Sequence, residues 1–198
     1  MKDFLLFWII LLLLPVAGCE EEPQRLDDYF VDFATVKKNG SSYRFQLDNG
    51  RILIPLETNY SGQEGQRVIL NYAFLEGDTV RIHSAGNILT GEVQSQGFPE
   101  KLEKDPVKIQ SIWVGGDYLN MIIETEYHSK PHKVALLRNA SSPTVDLYFS
   151  HSKEQDPPGY PQKMYASFLL RTEKNPPISF RLFIQTYDGL REITLTLN

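Results

Sequence analysis

Apolar residues recur at every second position along most of this 198-residue chain, and no stretch repeats them at the three-and-four spacing of an amphipathic helix. Successive side chains of a strand point to opposite faces, so such a chain builds sheets with one covered face. Tyr43, Phe45 and Leu47 alternate with Ser42, Arg44 and Gln46, and Asp48-Asn49-Gly50 turns the chain. Ile52, Ile54 and Leu56 continue the alternation beyond that turn, with Pro55 marking an edge or a bulge. The next strand spans 66–74, where Val68, Leu70, Tyr72 and Phe74 share a face. After Glu76-Gly77-Asp78, Val80 and Ile82 mark a short strand, residues 84–87 turn, and 88–93 form a fifth strand. Five strands with short, glycine-bearing connections fit a small Greek-key barrel of the OB type.

Residues 97–108 are polar, carry Pro99 and Pro106 and lack periodicity, which places a domain boundary near residue 104. Seven further strands are predicted beyond it. They are marked by Val107 and Ile109; by Leu119, Met121 and Ile123; by Val134 and Leu136; by Val145, Leu147 and Phe149; by Ala166, Phe168 and Leu170; by Phe180, Leu182 and Ile184; and by Ile193, Leu195 and Leu197. Gly115-Gly116-Asp117 and Asp188-Gly189 read as turns, and Asn175-Pro176-Pro177 breaks the chain. Seven strands in under 100 residues suggest an immunoglobulin-like β-sandwich, and the absence of a Cys-Trp-Cys pattern excludes a true antibody-type domain. The expected fold class is all-β, with an OB-like barrel over 36–103 and a sandwich over 104–198.

The N-terminus has a different character. Lys2 precedes an uninterrupted apolar run over 4–14, followed by Pro15 and Val16-Ala17-Gly18-Cys19. This reads as a lipoprotein signal peptide over residues 1–18, with processing at Cys19 and a thioether from its thiol to lipid. The run falls short of the ~20 apolar residues of a membrane span. A plain secretory signal and an uncleaved anchor are the alternatives. Cys19 is the chain's one cysteine, so the domains must stand on their hydrophobic cores without disulfides. Residues 19–35 are expected to be a tether. Glu20, Glu21 and Glu22 serve there as a solvated spacer, or as a sorting signal, since they resemble the acidic surface-export signals of Bacteroidetes lipoproteins. The formal net charge of −5 and the lack of a basic cluster argue against nucleic acid. The expected location is a lipid anchor in the bacterial cell envelope, at the outer membrane, facing the periplasm or the surface.

The search for chemistry finds little. Glu124, Glu126 and His128 alternate on one strand with His132 nearby, a set that could hold zinc. The same alternation is what the solvent face of an edge strand gives, because Met121, Ile123, Thr125 and Tyr127 take the other face. No carboxylate pair stands out for glycoside hydrolysis, and there is no Gly-x-Ser-x-Gly or phosphate-binding glycine loop. Ser150-His151-Ser152 places a nucleophile beside a histidine, but adjacent strand residues point apart. Asn39, Asn59 and Asn139 begin glycosylation-type triplets and read as turn residues in a bacterial chain. No catalytic residue, metal site or cofactor is therefore assigned. Residues 113–120, Trp-Val-Gly-Gly-Asp-Tyr-Leu-Asn, read either as a structural corner or as a contact platform for glycan or peptide. The proline-rich loop over 152–161 is the other candidate surface. The candidate ligand contacts are Trp113, Tyr118 and Tyr160.

Three stretches in this order resemble the NigD-like lipoproteins of Bacteroidetes: residues 43–55 with the Asp48-Asn49-Gly50 turn, residues 66–72, and residues 113–120 read with the later His132 strand. The resemblance implies an N-terminal OB-like barrel and a C-terminal β-sandwich. It carries no catalytic residue set. The expected function is that of a membrane-anchored, non-catalytic envelope lipoprotein acting as a binding or accessory module, held to the membrane through Cys19, with an envelope protein, peptide or glycan as partner. The alternatives are an immunity lipoprotein that captures a secreted antibacterial peptide, and a metal-dependent hydrolase.

Overall fold

The computed structural model describes residues 29–170 and 177–197. The signal peptide, Cys19, residues 20–28 of the tether and the Asn175-Pro176 break lie outside the described residues. Thirteen β-strands and no helix make up the described part. Strands β1 (Phe30–Asn39), β2 (Ser42–Leu47), β3 (Ile52–Pro55), β4 (Arg67–Glu76) and β5 (Thr79–Asn87) close a barrel in the order β1-β2-β3-β5-β4. Its interior is filled by Ala34, Val36, Phe45, Leu53, Val68, Leu70, Tyr72 and Val80.

Two local readings change here. Residues 30–35, expected in the tether, are the first half of β1. Their burial does not alternate, because Phe33 and Ala34 are buried on opposite faces: Ala34 points into the barrel, while Phe33 packs on Trp113 and Tyr165 of the second unit. In β3 the inward residue is Leu53, and Ile52, Ile54 and Leu56 are exposed. A run of three apolar residues has no readable period of its own. The turn sets the register instead, pairing Phe45 with Leu53.

The second unit contains β6 (Leu89–Gln94), β7 (Lys108–Gly115), β8 (Tyr118–Tyr127), β9 (Lys133–Arg138), β10 (Val145–Ser152), β11 (Tyr160–Leu169), β12 (Ile178–Thr186) and β13 (Gly189–Leu197). Their order is β13-β12-β10-β9-β6-β11-β8-β7. The seven strands expected after residue 104 are all present. The strand expected to finish the barrel, however, is β6, and it belongs to the sandwich. Its first residues pair with β11 and its last with β9, so it turns the corner between the two sheets. Sheet membership thus changes at Ile88/Leu89, and the segment near residue 104 runs inside the second unit. That segment is pinned across the sheet: Phe98 stacks on Tyr148, and the Glu103 N–H donates to Ser150 Oγ. It reads as a linker because it lacks periodicity, although its backbone bridges to β10 at His151 and to β12 at Thr186. The sandwich core gathers Leu119, Met121, Ile123, Leu136, Leu147, Phe149, Phe168, Leu182 and Ile184.

Candidate functional site at the barrel–sandwich junction

The three stretches that carry the family resemblance meet at one place. Arg67 opens β4 on the barrel's outer wall, facing the sandwich, and is fully buried. Its guanidinium forms a two-pronged ion pair with Asp48 in the β2–β3 turn, at 2.6 and 3.1 Å. It also donates to Thr35 Oγ1 on β1 at 3.1 Å, to Asn120 Oδ1 on β8 at 3.0 Å and to Ser167 Oγ on β11 at 3.2 Å. Asn120 Nδ2 donates to Asp48 Oδ2 at 2.7 Å, and Ser167 Oγ donates to Asn120 Oδ1. The face of Tyr118 covers the guanidinium at 4.2 Å. A buried charge is tolerated only when it is paired and its donors are satisfied, and this network does both across two domains. Gly115 completes the contact. A Cβ there would stand 2.5 Å from Asp48 Oδ2, so only glycine lets the turn approach.

Beside this node runs a groove of about 680 Å³ between the two units. Phe30, Val31 and Phe33 of β1 form one wall, and Trp113, Val114, Gly115 and Gly116 face them from the sandwich. The barrel end of the groove is aromatic: Phe30 lies 5.2 Å from Phe74 and 5.6 Å from Tyr72. The Arg51 guanidinium sits 4.1 Å over the Phe74 ring, tied to Asp78 at 2.7 Å and to the Gly77 carbonyl. The Tyr72 hydroxyl donates to Asp32 Oδ2 at 2.9 Å. Burial, the hydrogen bond and the Asp32 charge push that phenol far above its ordinary value, so it stays a donor. The groove therefore offers apolar rings, the Arg51 cation, the carboxylates of Asp32 and Asp48, and the backbone of a glycine pair.

The three expected contact residues do not share a surface. Trp113 lines the groove and packs on Phe33 at 5.0 Å. Tyr118 is half-buried beneath Arg67, where it serves the node. Tyr160 is 82% exposed, at the far end of the β8–β11 ladder. There Tyr160 pairs with Tyr127, while Leu169 pairs with Tyr118, about 30 Å away at ~3.3 Å per residue. Sequence reasoning missed Arg67, the centre of the junction. An arginine opening an apolar strand beside residues matching a family pattern was the available signal.

The acidic strand resolves into separate contacts. β8 lies between β7 and β11, so it is an inner strand where an edge was expected. Glu124 takes Lys108 and Gln110 from β7, and Glu126 lies 3.5 Å from Lys153. His128 turns to Ser129. Among the described residues, no group of three or more His, Cys, Asp or Glu is placed to hold a metal ion. Ser150 Oγ donates to the Lys101 carbonyl and accepts from Glu103, while the neighbouring His151 is directed to the Asp105 carbonyl.

No curated protein matches the chain in sequence. Among solved structures, it is similar to a protein described as toxin-related from Parabacteroides distasonis, with TM-score 0.76 and 24% identity over 86% of this chain and 94% of that one. It is also similar to a NigD-like immunity protein from Bacteroides caccae, with TM-score 0.67 and 27% identity over 83% and 90%. A protein described as a lipoprotein from Bacteroides fragilis shares the fold at TM-score 0.65 and 10% identity, over 86% and 98%. The family model of the NigD-like N-terminal OB domain matches residues 33–88, and that of the NigD-like C-terminal β-sandwich domain matches residues 90–197. The two matches meet where sheet membership changes, and together they assign the chain to the NigD-like family.

Proposed function

We propose that this chain is a lipid-anchored, non-catalytic binding lipoprotein of the bacterial outer membrane that takes its partner in the junction groove. The observation that carries the reading is the groove itself. Its two walls come from different domains, and the buried Arg67 node holds them in register, so the rings of Phe30, Phe74 and Trp113 are set before a partner arrives. Aromatic anchors on a prearranged surface bind with little ordering cost. An extended peptide or a glycan suits this lining, and either could belong to a larger envelope protein. Attachment through Cys19 would keep the groove close to the membrane. In the test, a photo-crosslinking residue at Val31 is used on intact cells. A reproducible adduct that disappears in Trp113→Ala supports the proposal, and no reproducible adduct overturns it. Loss of radiolabelled lipid and of membrane fractionation in Cys19→Ser tests the anchor separately.

A second reading has its own support. The Bacteroides caccae relative, 27% identical, is an immunity protein by name. In that reading the groove captures a secreted antibacterial peptide and protects the producing cell. Deleting the gene should then sensitise cells to a peptide made by the same strain, and unchanged sensitivity to every such product sinks the idea.

A further inference from the structure

A second buried polar chain lies in the sandwich, away from the junction. Asp156, in the loop between β10 and β11, accepts the backbone N–H groups of His128, Ser129 and Lys130 at 2.7–2.9 Å. Its Oδ2 lies 3.3 Å from His132 Nε2. His132 Nδ1 lies 3.0 Å from His151 Nε2, and His151 Nδ1 lies 3.0 Å from the Asp105 carbonyl oxygen. The side chains of His132 and Asp156 are 0% and 1% exposed, and His151 is 1% exposed. No substrate reaches these rings.

The polarity of each link fixes the proton count. A carbonyl only accepts, so His151 Nδ1 carries a hydrogen. His132 then has two demands on it. Towards Asp156 its Nε2 must donate, because an ionised carboxylate only accepts. Towards His151 a hydrogen must lie between the two nitrogens. A neutral pair of rings has two hydrogens for these three links, so one contact would be left as facing lone pairs. A metal ion fits the gap poorly: zinc–nitrogen bonds of ~2.0–2.1 Å in a tetrahedral shell hold the nitrogens roughly 3.3 Å apart and call for further ligands.

We infer that His132 and His151 together hold one extra proton, and that this shared proton clasps the 153–159 loop to the body of the sandwich. The proton makes His132 an imidazolium between Asp156 and a neutral His151. The groups facing the pair agree with this. Burial works against charge on Asp156, but the three N–H donors and His132 outweigh it and hold its carboxyl well below the usual range. Burial depresses the pKa of His151; the Asp105 carbonyl and carboxylate oppose that shift, and the His132 and Lys153 charges add to it, which disfavours a second charge on His151. The Tyr127 ring packs 5.5 Å from the His132 ring. Each end of the loop also has a contact of its own. Lys153 N–H donates to Asp105 Oδ2 at 2.6 Å, and Gly159 packs where a Cβ would collide with the Tyr127 carbonyl.

The pH dependence then has two sides. Above the pH at which the proton leaves, two lone pairs face each other and the clasp loosens. At low pH a second proton would place two like charges 3.0 Å apart, and an unfolded pair accepts that proton more readily than His151 does. The clasp is therefore tightest at the pH where the pair holds a single proton. The loop leads straight into the exposed Tyr160, so the device sets how firmly that side chain is presented.

The test reads imidazole ¹⁵N shifts and amide hydrogen exchange of the full chain across the histidine range, roughly pH 5 to 8. The expected result is an intermediate pH at which both His132 nitrogens are protonated and His151 carries its hydrogen on Nδ1. Exchange protection over 153–159, corrected for intrinsic rates, should peak there and fall on both sides by up to about tenfold per pH unit. His132→Gln keeps an amide donor without a titrating proton and should flatten that profile. A His132 that is singly protonated throughout, or a profile unchanged in His132→Gln, overturns the inference. So does a zinc-dependent shift of both nitrogens that a chelator reverses. If the variant does not fold, the wild-type ¹⁵N shifts decide alone.

Discussion

The junction node and the loop clasp are both buried polar networks, and they differ in the kind of charge they hold. At the junction the cation is a guanidinium, charged at every physiological pH, and its donors are divided among β1, the β2–β3 turn, β8 and β11. In the clasp the cation is a proton on an imidazole pair, which pH can remove. The first arrangement suits a permanent geometry between domains. The second suits a loop whose hold can change. Two networks of similar depth can thus have opposite consequences, because one rests on a group that cannot lose its proton and the other on a group whose proton pH can remove.

The comparison breaks first at Arg67. Arg67→Met leaves Asp48 without its ion-pair partner and strips Asn120 and Ser167 of a shared donor, so chemical denaturation should show a loss of about 3–5 kcal/mol, with barrel and sandwich unfolding in separate transitions. Adding Asp48→Leu should recover part of that loss, since removing both charges leaves none uncompensated. Gly115→Ala comes next. Its methyl displaces the Asp48 turn, and a loss of about 1–3 kcal/mol is expected, together with a weaker crosslink at the groove.

A milder effect should appear only in acid, at the Arg181–Asp146 ion pair on the sandwich. Asp146 is held down to about 2, chiefly by its hydrogen bond from Arg181; burial opposes this, and Ser142 and Thr144 add to it. A carboxylate depressed on folding stabilises fully above its unfolded value of 3.8 and loses that contribution as pH falls towards 2. Thermal melts of the wild type should therefore drop through that window by more than those of Asp146→Asn. The smallest change is Tyr160→Ala. At 82% exposure it should move stability by less than about 0.5 kcal/mol, and any larger effect in a binding assay would assign Tyr160 a contact role.

How much could be read from the sequence depends on the range of the information. The strands of the second unit were legible because Leu147 and Phe149, or Leu182 and Ile184, recur at alternate positions and face one core. β1 was not legible, because the sandwich covers the face that would otherwise have shown polar residues at Phe33. β6 was visible as a strand but not as a member of its sheet, since its hydrogen-bond partners in β9 and β11 are distant in sequence. Trp113 and Tyr118 were legible as unusual residues, though not as serving a groove and a buried cation respectively.

By itself, then, the sequence determined an all-β chain with a barrel-sized first part, seven of the eight strands of the second and the turns between them. Period-two patterning and turn chemistry are local properties that survive without knowledge of partners. Only the tertiary structure decided which sheet receives β6, that Arg67 reaches Ser167 a hundred residues away, and that His132, His151 and Asp156 form one chain. Each of these depends on how buried charges and donors find complements across the fold. That complementarity has no period along the chain.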